Sequence, residues 1–262
     1  MSTQACSNHI WYKNALRIND IIPTVNVITR NKIVICIANT YNGTHLELGQ
    51  PVLNDCELIS KIYYKHDYNV FLLQDAKVKQ VVEWLCLFAE ESHTLDDVVI
   101  YYSGHGCLVK QCFGKFRIGK YEFEMTYDQE KTNRDSAYVF YDSDKKLTEH
   151  LIDDVFTQIV KMFKCPCLVL SDCCHSGTII DGLSNSFHGD ETDKITHLKN
   201  QQINYISAAR DDQYALQGEK NGLFTSHLYY SQDDECKEIV ENFKSCAQNC
   251  ESRLNGRTKL WV

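Results

Sequence analysis

Proline is scarce in this chain, with 3 residues among 262. About 5% usage would place roughly 13, so no proline-rich linker divides the sequence into modules. Basic excess is missing too: 27 Lys and Arg stand against 35 Asp and Glu, for a formal charge of −8. That balance argues against a nucleic-acid or anionic-membrane surface, which needs clustered cations. Long apolar runs are lacking. Stretches such as Val34 to Ala38 fall far short of the ~20 residues of a spanning helix. Met1 to Trp11 carries no basic segment followed by an apolar one, so no secretory signal is expected. The expectation is a soluble protein of a reducing, intracellular compartment, cytoplasmic or nuclear.

Cysteine, by contrast, is plentiful. Its 13 residues cannot all pair within one chain, and in a reducing compartment they should be core filler, metal ligands or a nucleophile. A hydrophobic content of 44% with 24% charge is that of an ordinary globular domain.

The pattern along the chain is one of short apolar runs alternating with helical periodicity. Lys32 to Ala38, Val70 to Leu73, Val98 to Tyr102, Cys167 to Leu170 and Ile203 to Ala208 read as buried strands. Helical spacing recurs from Leu53 to Tyr63, from Val78 to Ala89, from Leu151 to Phe163, from Leu223 to Tyr230 and from Ile239 to Cys250. Lys259 to Val262 reads as a last strand. This alternation predicts an α/β domain, a mostly parallel sheet with helices on both faces. Residues 1–30 read as a short leader and 31–262 as one domain. Within it, 181–200 is a polar connecting loop between a larger part (31–180) and a smaller one (201–262), and 107–135 is a hairpin or irregular insertion.

In such sheets ligands bind beyond the carboxyl ends of the strands. Two strands here end in reactive residues set among small ones. Tyr101-Tyr102-Ser103-Gly104-His105-Gly106 puts an imidazole on a glycine-flanked turn, and Leu170-Ser171-Asp172-Cys173-Cys174-His175-Ser176-Gly177 puts a thiol on another. Glycine lets the backbone approach a substrate closely. A lone histidine after a strand is ordinarily a turn residue and a lone cysteine ordinarily packing; the two together point to nucleophilic catalysis. On sequence alone, Cys173 competes with Cys174 for that role, since neighbouring residues of a strand face opposite sides.

These two motifs resemble those of the metacaspases, caspase-fold cysteine peptidases. The resemblance runs from Lys32 onward and includes Leu53-Asn54-Asp55, Ile152-Asp153-Asp154 and the segment from Ser207 to Gln213. It implies a caspase-like fold and a dyad of Cys174 as nucleophile and His105 as acid/base. The N–H groups of Gly106 and Cys174 would form the oxyanion hole. It also implies a substrate pocket of Asp55, Asp172 and Ser103, whose acids would select Arg or Lys at the cleaved position. Val52 stands where the family often has cysteine. The resemblance further implies a regulatory calcium site with Asp153, Asp154, Asp181 and Asp135 as ligands, a monomer acting on protein or peptide substrates, and a zymogen. Lys194 and Lys199 in 181–200 would offer bonds for self-cleavage.

Other readings weigh less. Cys165 with Cys167, Cys107 with Cys112 and Cys246 with Cys250 lack the paired spacing of a zinc site. A non-catalytic regulatory protein would be expected to lose His105 or Cys174, and both are present. An asparagine-specific relative is disfavoured by the acidic pocket.

Overall fold

The computed structural model describes residues 15–125, 134–144, 146–180, 202–210, 212–244 and 251–261. The chain starts with β1 (Leu16–Arg17), β2 (Lys32–Ala38), α1 (Gln50–Lys65), β3 (Asn69–Gln74), α2 (Val78–Glu91) and β4 (Asp97–Ser103). It continues through β5 (Gly106–Lys110), β6 (Gly114–Ile118), β7 (Tyr121–Met125), β8 (Arg134–Asp142), β9 (Leu147–Ile152) and α3 (Asp153–Met162). It then runs through β10 (Cys167–Asp172), β11 (Ile203–Ser207), α4 (Leu223–Tyr230), α5 (Cys236–Lys244) and β12 (Glu251–Arg253).

The main sheet has the order β1-β3-β2-β4-β10-β11-β12, parallel throughout except for β12. The continuous apolar runs form its centre because both faces are covered. Alternate residues divide between two cores. Ile33, Ile35 and Ile37 of β2 pack on the side of α2 and α3, with Val98, Ile100 and Tyr102 of β4. Val34, Cys36 and Ala38 pack on the side of α1, α4 and α5, with Val99 and Tyr101. The chain enters at β2, moves outward to β3 and returns to β4 on the other side of β2, which puts a switch point between β2 and β4. Crevices for ligands open at such points, outside the carboxyl ends of the strands.

Three local expectations change. Residues 16 and 17, within the expected leader, join the sheet edge beside β3, and Ile18 after them is buried. The insertion after His105 is more regular than expected: β5, β8 and β9 form an antiparallel sheet and β6 and β7 a hairpin. Lys259 to Trp261 is not a strand. Carbonyls there are spent on side chains, since Arg257 donates to those of Lys259 and Leu260, and Tyr63 Oη also donates to Leu260. The antiparallel edge strand is β12 instead.

At the amino end of β4, the buried carboxylate of Asp97 takes both guanidinium nitrogens of Arg257, at 2.7 and 2.8 Å, and a bond from Tyr68 Oη. The turn that carries His105 follows the opposite end of the same strand.

Candidate active site

Register places the motifs together. Asp172, the last residue of β10, pairs with Ser103, the last of β4. Both strands therefore stop at the same level, and the turns that follow, Gly104-His105 and Cys173-Cys174, lie side by side. A cleft of about 120 Å³ opens there, lined by Asp55, Ser103, His105, Asp172 and Cys174, with Ala215 to Gln217 and Gly222 along one side. Gly106 does not line it but sits directly behind it, against the backbone of Cys174.

The two cysteines differ sharply. Cys173 is 2% exposed and belongs to the core, and burial pushes its thiol well above the ordinary range. Cys174 is half-buried, and its sulfur accepts a hydrogen bond from Ala215 N–H at 3.3 Å. Burial raises its pKa while that donor opposes the rise, so at neutral pH the group is held mainly as a thiol. His175 lies in the left-handed region (φ 49°), an uncommon conformation for such a residue. Its N–H bonds Gln213 O, which ties the Cys174 turn to the segment that carries Ala215.

His105 Nε2 is 2.8 Å from Leu46 O. A carbonyl only accepts, so in the neutral ring Nε2 carries the proton and Nδ1 holds the lone pair. Nothing local to His105 marks Leu46 as its partner, since a loop brings it in from 59 residues away.

Asp55 arrives from α1 and Asp172 from β10. Asp55 accepts Asn221 Nδ2 (3.0 Å), Gly222 N (2.9 Å) and Ser103 Oγ (3.3 Å). Asp172 accepts Thr225 Oγ1 (2.6 Å) and Thr225 N (3.2 Å) at the start of α4. Burial pushes both carboxyls above the usual range, and the charge of Asp172 adds to the shift at Asp55. Two acids sharing a partly desolvated space cannot both ionise cheaply without a cation between them. Gly222 fits closely here, since a Cβ on it would come within 2.4 Å of the Asp172 carboxylate. Asn221, Gly222 and Thr225 were not singled out in the sequence, because only the tertiary fold carries α4 to the ends of β4 and β10.

Of the residues expected to bind calcium, Asp135, Asp153 and Asp154 do not line this cleft. Asp153 and Asp154 begin α3; Asp153 accepts Ser136 N (2.7 Å) and Asp154 N (2.8 Å). Asp135, on β8 beside Ser136, is buried and accepts Cys112 N (3.0 Å). Hard carboxylate oxygens of this kind suit a divalent cation, yet among the described residues no three His, Cys, Asp or Glu side chains gather as a metal site. Asp181 lies outside the described residues, as do Lys194, Lys199, Cys246 and Cys250. Among the described residues no helix is long and apolar enough to cross a membrane.

Residues 31–258 match the caspase domain family of peptidases. Two curated relatives, the metacaspase-1 proteins of Candida albicans and Debaryomyces hansenii, are each 27% identical over 167 and 168 residues. Those alignments cover 57% of this chain and 34% of each relative, so the chain spans about a third of the length of the proteins it matches. Among solved structures, protein GSU0716 from Geobacter sulfurreducens superposes with a TM-score of 0.60 at 17% identity, covering 88% of this chain and 98% of its own. That likeness is one of fold.

Proposed function

This chain belongs to the caspase domain family, and from that premise we propose that it is a cysteine endopeptidase cleaving after Arg or Lys. The observation that carries the specificity is the pair Asp55 and Asp172 in one cleft with Cys174 and His105, with no Lys or Arg among the described residues that line it. A guanidinium or ammonium there meets two carboxylates and relieves their mutual repulsion, whereas an Asp side chain would add a third negative charge.

The proposed chemistry uses the thiol and imidazole of this cleft. Cys174 starts mainly as a thiol, so its proton passes to Nδ1 of His105 as the sulfur attacks the peptide carbonyl. The tetrahedral oxyanion is held by backbone N–H groups. Gly106 supports this role: His105 and Val139 are a bonded pair of the β5–β8 ladder, so Gly106 and Tyr138, next in register, are a non-bonded pair. The Gly106 N–H then points to the outer edge of β5, an edge strand of its sheet. Collapse of the intermediate breaks the C–N bond. The imidazolium gives its proton to the leaving amine, and the acyl group stays on sulfur. Water, deprotonated by His105, then releases the acid and restores the thiol.

Calcium enters as a regulator held by Asp153, Asp154, Asp135 and Asp181. When bound it would neutralise carboxylates at the start of α3, and no catalytic step passes through it. Activity as a monomer and self-cleavage within 181–200 belong to the same proposal.

The test is a set of peptides differing only at the cleaved residue (Arg, Lys, Asn, Asp), assayed with and without millimolar calcium, and after iodoacetamide. Arg and Lys peptides should be hydrolysed and alkylation should stop turnover. Preferential cleavage of the Asp peptide would overturn the specificity.

A further inference from the structure

We propose that Tyr41 is the positioning residue of the site, its hydroxyl inserted into the β5–β8 ladder so that His105 is held off the sheet. The proposal rests on the reading of His105 as the acid/base.

An antiparallel bonded pair normally exchanges two N–H···O=C bonds. At His105 and Val139 only one is direct: Val139 N–H reaches His105 O at 3.0 Å. The other is interrupted by a hydroxyl. His105 N–H donates to Tyr41 Oη at 2.8 Å, and Tyr41 Oη donates to Val139 O at 2.8 Å. A second tyrosine closes the arrangement. Tyr102 Oη lies 2.8 Å from His105 O, and Asn39 Nδ2 lies 2.9 Å from Val139 O and 3.3 Å from Tyr102 Oη.

One set of directions places every proton, since each phenol has one to give and each carbonyl has two lone pairs, with the two hydroxyls themselves 3.2 Å apart. Tyr41 and Asn39 fill Val139 O. Although Tyr102 Oη is also 2.8 Å from that oxygen, its proton is then left for His105 O, which already takes the Val139 N–H. Every donor has an acceptor, and both backbone groups of His105 are bound to a tyrosine.

Tyr41 is held for this purpose at a cost. Its φ of 53° is left-handed, a strained conformation for a bulky residue that persists only when its surroundings enforce it. Asp75 enforces it, accepting Thr40 N (2.6 Å), Thr40 Oγ1 (2.7 Å) and Tyr41 N (3.2 Å). The turn that begins there delivers the loop whose Leu46 carbonyl receives His105 Nε2, and the Tyr41 ring packs 4.9 Å from the imidazole. Tyr41 thus holds the backbone and the ring face of His105, while the loop it opens carries the Leu46 carbonyl that fixes the tautomer. The fit also explains Gly104, where a Cβ would lie 2.7 Å from Tyr102 Oη and 2.9 Å from Tyr41 Oη.

Without the hydroxyl, His105 N–H must close directly onto Val139 O or go without a partner. Closure would draw the turn toward β8 and move the imidazole relative to Cys174, and displacements near 1 Å cost about 10²-fold in rate. The test uses Tyr41→Phe in the full chain. The expected result is a kcat lowered roughly 30-fold with KM on an Arg peptide within about twofold. A second readout is the pH dependence of Cys174 alkylation by iodoacetamide, which should shift from the parent curve toward that of His105→Ala. An unchanged kcat, a change in KM alone, or an alkylation curve identical to the parent's would overturn the proposal. Should Tyr41→Phe fail to fold, Asp75→Asn, which frees the backbone of Thr40 and Tyr41, must show the same kcat signature, and an unaltered kcat there overturns it. Alkylation insensitive to His105→Ala would overturn the Cys/His reading itself.

Discussion

A side chain on Gly106 would bring its Cβ to 1.9 Å from the carbonyl oxygen of Cys174. The two turns that bear the thiol and the imidazole are in backbone contact, and only glycine fits between them. Gly106→Ala must push the turns apart and displace the N–H proposed for the oxyanion hole. We expect kcat to fall by about 10²–10³, the range for loss of one such donor, with the circular dichroism spectrum retained. A variant with parental kcat would remove Gly106 from the oxyanion hole.

Burial separates the neighbouring cysteines. Cys174→Ala should abolish turnover of Arg peptides. Cys173→Ala should keep most of it and lower thermal stability, because it empties part of the core around Tyr138. Activity assays paired with thermal melts decide the matter, and the opposite pattern would exchange the two assignments.

The acid pair makes binding depend on pH. Asp55 is pushed up to about 8 and Asp172 to about 6, so between these values the pocket gains negative charge as protons leave. KM for an Arg peptide should fall as pH rises from 6 to 8, whereas KM for the uncharged citrulline analogue should not follow. For stability the sign reverses. Carboxyls whose folded pKa lies above the ordinary ~4 hold more protons folded than unfolded, so their contribution is lost as pH rises through the folded values. Asp55→Asn should therefore melt above the parent at pH 8 and gain little at pH 4, while losing affinity for arginine.

Asp97 and Arg257 are 0% and 4% exposed at their side chains, so removing one leaves the other charged and buried. Arg257→Met should cost about 3–5 kcal/mol in urea unfolding. Adding Asp97→Asn should recover part of that loss, and a null effect of the single change would show that the tail does not hold the sheet.

How much of this was legible beforehand depends on the distance over which each signal acts. The strands that run continuously apolar, and the residues that end them, are written in contiguous sequence, so the sheet and the positions of His105 and Cys174 could be read directly. The supports could not. Thr225 reaches Asp172 from 53 residues away and Gly222 reaches Asp55 from 167, and nothing local to either marks them as partners. Tyr41 hides for another reason: its left-handed backbone is imposed by Asp75, against its own preference. The strands β8 and β9 follow the polar insertion, whose composition masked the regular ladder beyond it.

The clasp between Asp97 and Arg257 joins two parts of the chain 160 residues apart, on either side of the expected processing loop. β10 and β11 flank that loop and pair in parallel along their length. Severing the backbone within 181–200 would therefore not release a fragment. The two polypeptides would run separately on a denaturing gel and elute together from a native column. Nicking there would leave the described walls of the cleft in place, since none of them comes from 181–200.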